Sequence, residues 1–374
     1  MSTSSAKKKK KKQKTKLIVF IIEIIVLLAL VVALFLLLKW WKVEHTEVSD
    51  AKINSEVYEK KKELGLTGYT NIALFGIDNR GSGSYTGSRS DCIMVASINN
   101  DTQEVKIVSF YRDTYTLRPD GTYGKMNGGY GQLGPEGGIQ TLNTNFDLDI
   151  EDYIAVDFAA LIDAVNLVGG VEIDLSYDEI WAGYGSYYNY NFYINELNGL
   201  YGLSSSEIWE PGTYLLDGVQ ATAYCRIRST VGDDFTRSAR HREVLVQLIE
   251  KAQALSLTKV NELVDEILPS ISTSLSETEL LSLIADVFDY ELVSTAGFPF
   301  SLHSATINSA SVMVPCTLES SVKDLYEYLY GIEDYEPSTT VKGISDYIIN
   351  DTGYDEDDDE NYSYGIDDED GPSA

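Results

Sequence analysis

Cysteine and histidine are scarce, three of each in 374 residues. The cysteines, Cys92, Cys225 and Cys316, form no C-x-x-C pair, and their odd number leaves one over. That excludes a zinc ribbon and a dense disulfide framework, and assigns them as small apolar fillers, with a single bridge as the alternative. With only His45, His241 and His303, and no G-x-S-x-G, a Ser-His-Asp hydrolase lacks its parts, and zinc lacks a ligand cluster. No G-x-x-x-x-G-K-[ST] run occurs, which excludes a phosphate-loop nucleotide site. Basic residues are sparse outside the start of the chain. The net charge is −29, although residues 1–16 hold eight lysines and no acid. A body this acidic does not bind nucleic acid, which demands basic surface. Any phosphate it meets must be met by a local island of arginine.

One long hydrophobic run is present. Residues 17–38 are apolar except for Glu23, and at ~1.5 Å per residue they are long enough for a bilayer core. The run ends in K-W-W-K rather than at a small-residue cleavage site, so it reads as a retained transmembrane helix. The lysines place the N-terminus in the cytoplasm and the rest of the chain outside. Residues 39–69 read as a polar stalk and 70–345 as one extracytoplasmic domain, with a Tyr-rich insert at about 177–210. Residues 346–374 read as an acidic, disordered tail. From Asn350 to the end there are eleven acids and no lysine or arginine.

Within the domain, apolar runs at 71–77, 92–98, 105–110, 153–156 and 171–175 predict strands. Helical spacing predicts helices at 138–145, 158–168, 237–254, within 258–290, and at 318–330. A further strand is expected at 224–227 and another at 305–315. Residues 121–137, with seven glycines, read as an irregular loop. Strands alternating with helices imply an α/β fold, a central mixed sheet covered by helices on both faces.

Charges cluster at the predicted strand ends, where ligands bind in sheets of this kind. Asp78 closes the first strand and Asp91 opens the second. Together they suit a hard cation such as Mg²⁺, or else are ordinary turn residues. Arg89 precedes Asp91, and Arg112 with Asp113 follows the third strand. Arg226 and Arg228 are expected on one strand face, and Arg237, Arg240 and His241 at the first turn of a long helix, where backbone amides favour anions. Arginine's planar fork suits a pyrophosphate. The alternative is that these arginines only pair with surface acids.

The stretches N-I-A-L-F-G-I-D, S-R-S-D-C-I-M-V, V-S-F-Y-R-D-T-Y, K-M-N-G-G-Y-G with G-P-E-G-G-I-Q-T, D-Y-I-A-V-D-F, L-V-G-G-V-E-I-D, L-D-G-V-Q-A-T-A-Y-C-R-I-R and D-D-F-T-R-S-A-R-H-R occur in this order over about residues 70–254. In that order they resemble the LytR-CpsA-Psr proteins, which share the layout of basic segment, single span and outer domain. The resemblance implies a phosphotransferase that moves a glycopolymer from a polyprenyl-pyrophosphate carrier to a peptidoglycan hydroxyl. It implies a Mg²⁺ site at Asp78 and Asp91, pyrophosphate contacts from Arg89, Arg112, Arg226, Arg228 and Arg237, and an apolar slot for the prenyl chain. Asp91 and then Asp113 are the candidate general bases. His241 stands where the family often has glutamine, which would make the site's charge pH-dependent. Lys125 and Asn127 read as structural. A pyrophosphatase and a non-catalytic envelope regulator are the rival readings.

Overall fold

Alternating burial along the strands defines the two faces of the central sheet. In β1 (Tyr69–Ile77), Ala73, Phe75 and Ile77 join one apolar cluster while Leu74 packs with a second on the other face. The remaining main strands are β2 (Ser90–Asn99), β3 (Glu104–Phe110), β4 (Asp152–Asp157), β5 (Ile271–Thr273) and β6 (Glu291–Phe298). They lie side by side in the order β5-β4-β1-β2-β3-β6. The pairs β4–β1 and β3–β6 are parallel and the others antiparallel, so the sheet is mixed as expected. The computed structural model describes residues 43–78, 85, 88–181, 189–228 and 233–360. The expected transmembrane run, the basic segment and the end of the tail lie outside these. No described helix is long and apolar enough to cross a membrane.

Helices cover both faces. Part of the expected stalk belongs to the domain wall: α1 (Ser55–Glu63), capped by Asn54, buries Val57 and Lys61, and Lys61 pairs with Asp149 at 2.6 Å. The expected loop at 121–137 is largely helical, as α2 (Asn127–Leu133) leading into α3 (Pro135–Phe146). Its glycines serve close packing. A Cβ on Gly137 would stand 2.1 Å from the Gly129 carbonyl oxygen, so the two helices touch backbone to backbone. Ile139, Leu142 and Phe146 of α3 pack in the same cluster as Phe75 and Phe110.

The other face carries α4 (Phe158–Leu167), α5 (Tyr177–Trp181), α6 (Tyr190–Tyr201), α7 (Gly218–Tyr224) and α8 (Asp233–Gln253). Within the described part of the Tyr-rich segment, Tyr190, Ile194 and Leu197 are fully buried, so α6 belongs to the core. The expected strand at 224–227 is instead the end of α7 and the turn after it. Asp217 and Gln220 form a capping box that starts this helix. Helix α8 begins a turn earlier than expected, which moves Arg237, Arg240 and His241 past its first turn. The predicted helices within 258–290 are α9 (Leu257–Ile267) and α10 (Glu277–Ala285). The strand expected at 305–315 is a hairpin of Leu302–Ile307 with Ala310–Pro315. After α11 (Leu318–Tyr330), α12 (Thr339–Thr352) buries Val341, Ile344 and Ile348 in the core, so the tail starts later than residue 346.

Candidate active site

Strand pairing alone sets four charged residues along one end of the sheet. Parallel β1 and β4 end together, Ile77 opposite Asp157. Antiparallel β2 begins beside the end of β1, Ile77 opposite Ser90, so Asp78 and Asp91 are brought to the same edge. Strand β3 ends opposite Ile93 and leads into Arg112. Asp157 was not anticipated; its side chain also caps α4, accepting from the Ala160 amide at 3.0 Å.

Behind this edge, between the sheet and α4, α6 and α8, lies a cavity of about 640 Å³. Its wall is apolar, with Leu74, Met94, Ile154 and Val156 from the strands and Leu161 and Leu248 from the helices. Asp78, Asp91, Arg226, Arg228, Arg237 and His241 also line it. A greasy chamber with guanidinium groups and carboxylates on its lining suits an amphiphile with an anionic head.

The charges form a network. Asp91 accepts from Arg112 through one oxygen and from Arg228 through the other, the latter at 3.0 Å. Burial pushes the Asp91 carboxyl up, but Arg112, Arg228 and Arg237 outweigh it and hold the group below its usual value. Asp234 accepts from Arg112 at 3.2 Å and also from Arg237, tying the end of β3 to α8. Arg226 pairs with Glu196 at 2.7 Å and lies over the rings of Phe158 and Tyr193, 4.8 and 5.0 Å from their centroids. Asp234 and Glu196 escaped the sequence reading. Asp234 stood inside the D-D-F-T-R motif but carried no signal of its own.

Other expected residues lie differently. Arg240 turns to Glu179 of α5 at 3.0 Å and to the Ile227 carbonyl at 3.2 Å, away from the cavity lining. Arg89 is exposed and outside that lining, and Arg112 is outside it too, reaching it only through its bond to Asp91. Asp113 is held by Lys125 at 2.7 Å and does not line the cavity either. Of the two expected bases, Asp91 has each oxygen engaged by a guanidinium group, and Asp113 lies between Lys125 and, at 3.7 Å, Arg112. The Nε2 of His241 is 2.9 Å from the Cys225 carbonyl oxygen, which can only accept, so Nε2 carries a hydrogen. Burial, and then Arg237, push this imidazole down to about 3. It is neutral near pH 7, which removes the expected pH-sensitive charge. All three cysteines are free thiols, and burial pushes Cys92 up to about 12.

Comparison with known proteins bears on the family and the fold. The family model described as the LytR_cpsA_psr family matches residues 39–321. The chain is 25% identical over 299 residues to the polyisoprenyl-teichoic acid–peptidoglycan teichoic acid transferase TagV of Bacillus subtilis, covering 78% of this chain and 70% of that protein. It is 27% identical over 232 residues to the transferase of the same description, TagU, of Enterococcus faecalis, covering 61% and 69%. In fold it matches the crystal structure of B. subtilis TagV with a TM-score of 0.54 at 22% identity, over 72% of this chain and 98% of the other. It matches TagT bound to LI-WTA with a TM-score of 0.53 at 19% identity, over 83% and 99%.

Proposed function

Since the chain belongs to the LytR_cpsA_psr family, we propose that it is a transferase that moves a glycopolymer from a polyprenyl-pyrophosphate carrier to a peptidoglycan hydroxyl. The observation that carries this reading is the cavity itself, an apolar chamber of about 640 Å³ lined at its charged edge by Arg226, Arg228 and Arg237. The prenyl chain occupies the chamber and the diphosphate faces the arginines. The acceptor hydroxyl oxygen attacks the phosphorus next to the sugar, the P–O bond to the prenyl phosphate breaks, and the hydroxyl proton leaves with that prenyl phosphate, on the oxygen freed by the cleavage. Arg226, Arg228 and Arg237 neutralise charge developing on that leaving group, which requires no reorganisation because Glu196, Asp91 and Asp234 already hold them. Asp91 positions Arg112 and Arg228 through one lone pair on each of its oxygens, which leaves a second lone pair on each for a cation.

The donor chemistry also suits Mg²⁺. Asp78 and Asp91 line one cavity from neighbouring strands, and Mg²⁺ takes one or two carboxylates alongside phosphate oxygens. These two residues would hold it, and when bound it would supply Lewis-acid neutralisation of the phosphates. In this reading the domain works on the outer side of a membrane, anchored through residues 17–38.

The test is transfer of a prenyl-pyrophosphate-linked glycan to a wall-glycan acceptor by Arg226→Ala and Arg228→Ala. Each is expected to lose about a hundredfold or more in rate with an unchanged melting temperature. Full activity in both would remove the arginine cradle. Free phosphorylated glycan as the product even with acceptor present would make the protein a pyrophosphatase instead. In the same assay a chelator is expected to stop transfer and Mg²⁺ to restore it.

A further inference from the structure

Large aromatic side chains left in water call for an explanation when they are clustered and held rigid. Tyr177 and Trp181 lie one turn apart on α5, with ring centroids 6.1 Å apart and planes 29° apart. Trp209 continues the row, 5.3 Å from Trp181. Tyr177 is 63% exposed and Trp209 44%. The segment carrying Trp209 has no regular structure, yet it is pinned at both ends. Asn198 exchanges two hydrogen bonds of 2.9 Å with Ser205, and Asn191 binds both backbone groups of Ile208, at 2.7 and 2.9 Å. The Trp209 indole donates to Glu207 at 3.1 Å, and Asn195 fixes the other oxygen of that carboxylate at 2.6 Å.

The charge around this row decides between occupants. Residues 171–225 contain eight carboxylates and no lysine or arginine, and two of these acids stand at the row itself, Glu179 between Tyr177 and Trp181 and Glu207 bonded to the Trp209 indole. Anionic phospholipid headgroups and anionic polymers are repelled by such a surface. An uncharged glycan is not: its C–H faces stack on aromatic rings and its hydroxyl and amide hydrogens meet carboxylate oxygens. The row is linked to the cavity's arginines by a chain of contacts. Glu179, between Tyr177 and Trp181 on α5, binds Arg240, which in turn holds the carbonyl of Ile227 between Arg226 and Arg228.

We propose that Tyr177, Trp181 and Trp209 form a stacking platform that binds an uncharged glycan strand beside the active site. Its role as the acceptor strand rests on the transferase reading above; its binding does not. The full chain, purified in detergent, is titrated calorimetrically with a soluble β-1,4-linked N-acetylglucosamine oligomer, with no lipid donor present. The wild type is expected to bind, and Tyr177→Ala/Trp209→Ala to bind at least about tenfold more weakly at an unchanged melting temperature. Trp209→Phe is expected to retain most of the affinity. Equal affinity in wild type and double variant, or no binding by the wild type, overturns the platform even if transfer activity is intact. Saturation by short-chain phosphatidylcholine instead, lost in the same double variant, assigns the row to lipid and overturns it equally. Conversely, glycan binding that survives in a protein with no transferase activity leaves the platform standing and removes only the acceptor role.

Discussion

Asp234 shows how a residue can organise a site without touching its contents. It is buried, and it accepts from Arg112 at the end of β3 and Arg237 on α8, joining two segments far apart in sequence. Nothing in the sequence singles it out, because its importance is its choice of partners, and partners are set by the fold. The place of Asp78, Asp91 and Arg112 at the sheet edge was legible because each stands at the end of an apolar run. His241 gives a testable consequence at this scale. Its folded-state value is depressed to about 3 from the usual 6.5. Between those values the unfolded chain binds a proton that the folded chain does not, so stability rises with pH there. The stabilisation is complete above about pH 6.5 and is lost as pH falls, by at most about 1.4 kcal/mol per unit. His241→Gln, which keeps a donor toward the Cys225 carbonyl, is expected to flatten the fall in melting temperature between pH 6.5 and 4.5. Parallel curves for variant and wild type would show that the imidazole is not buried as described.

Elements were legible where burial is one-sided and repetitive. The alternation of Val171, Ile173 and Leu175 and the helical spacing of residues 158–168 both appear as read. Glycine misled the reading in one place: at 121–137 it marks contact between α2 and α3 rather than an irregular chain. A short helix misled it in another. All seven residues of α7 except Gln220 are buried, so no polar face betrays its period, and only the Asp217–Gln220 box announces its start. Helix α7 must lie against the backbone of α4 to place Arg226 and Arg228 over the cavity. A Cβ at Gly218 would stand 2.1 Å from the Ile162 carbonyl oxygen, a rigid neighbour. Gly218→Ala is therefore expected to destabilise the fold by about 1–3 kcal/mol and to lower transfer by displacing the two arginines. Urea denaturation measures the first effect and the transfer assay at low temperature, where the variant is still folded, the second. An unchanged unfolding midpoint would show that α4 and α7 are not in this close contact.

For the molecule as a whole, the mixed sheet divides labour between its faces. One face is filled by α3, α11 and α12 around Phe75, Phe110 and Tyr326, and serves stability. The other, under α4, α6 and α8, is left hollow, at a cost in packing that only an occupant would recover. A hollow apolar chamber that opens beside arginine implies that the two ends of the ligand are separable in experiment. Filling the chamber should weaken binding in proportion to the hydrocarbon that must enter it, while the diphosphate contacts remain. Leu161 lines the chamber from α4 and takes no part in the hydrogen bonds of Asp91 and Asp234. Leu161→Trp is expected to weaken a long prenyl pyrophosphate by about tenfold or more, at ~0.8 kcal/mol for each methylene-sized group kept in water. A pyrophosphate ester with a single short prenyl unit should lose little, and the melting temperature should hold or rise as the space is filled. Calorimetric titration across a prenyl-length series reads the difference directly. An affinity loss independent of chain length would place the hydrocarbon elsewhere and leave the chamber without its occupant.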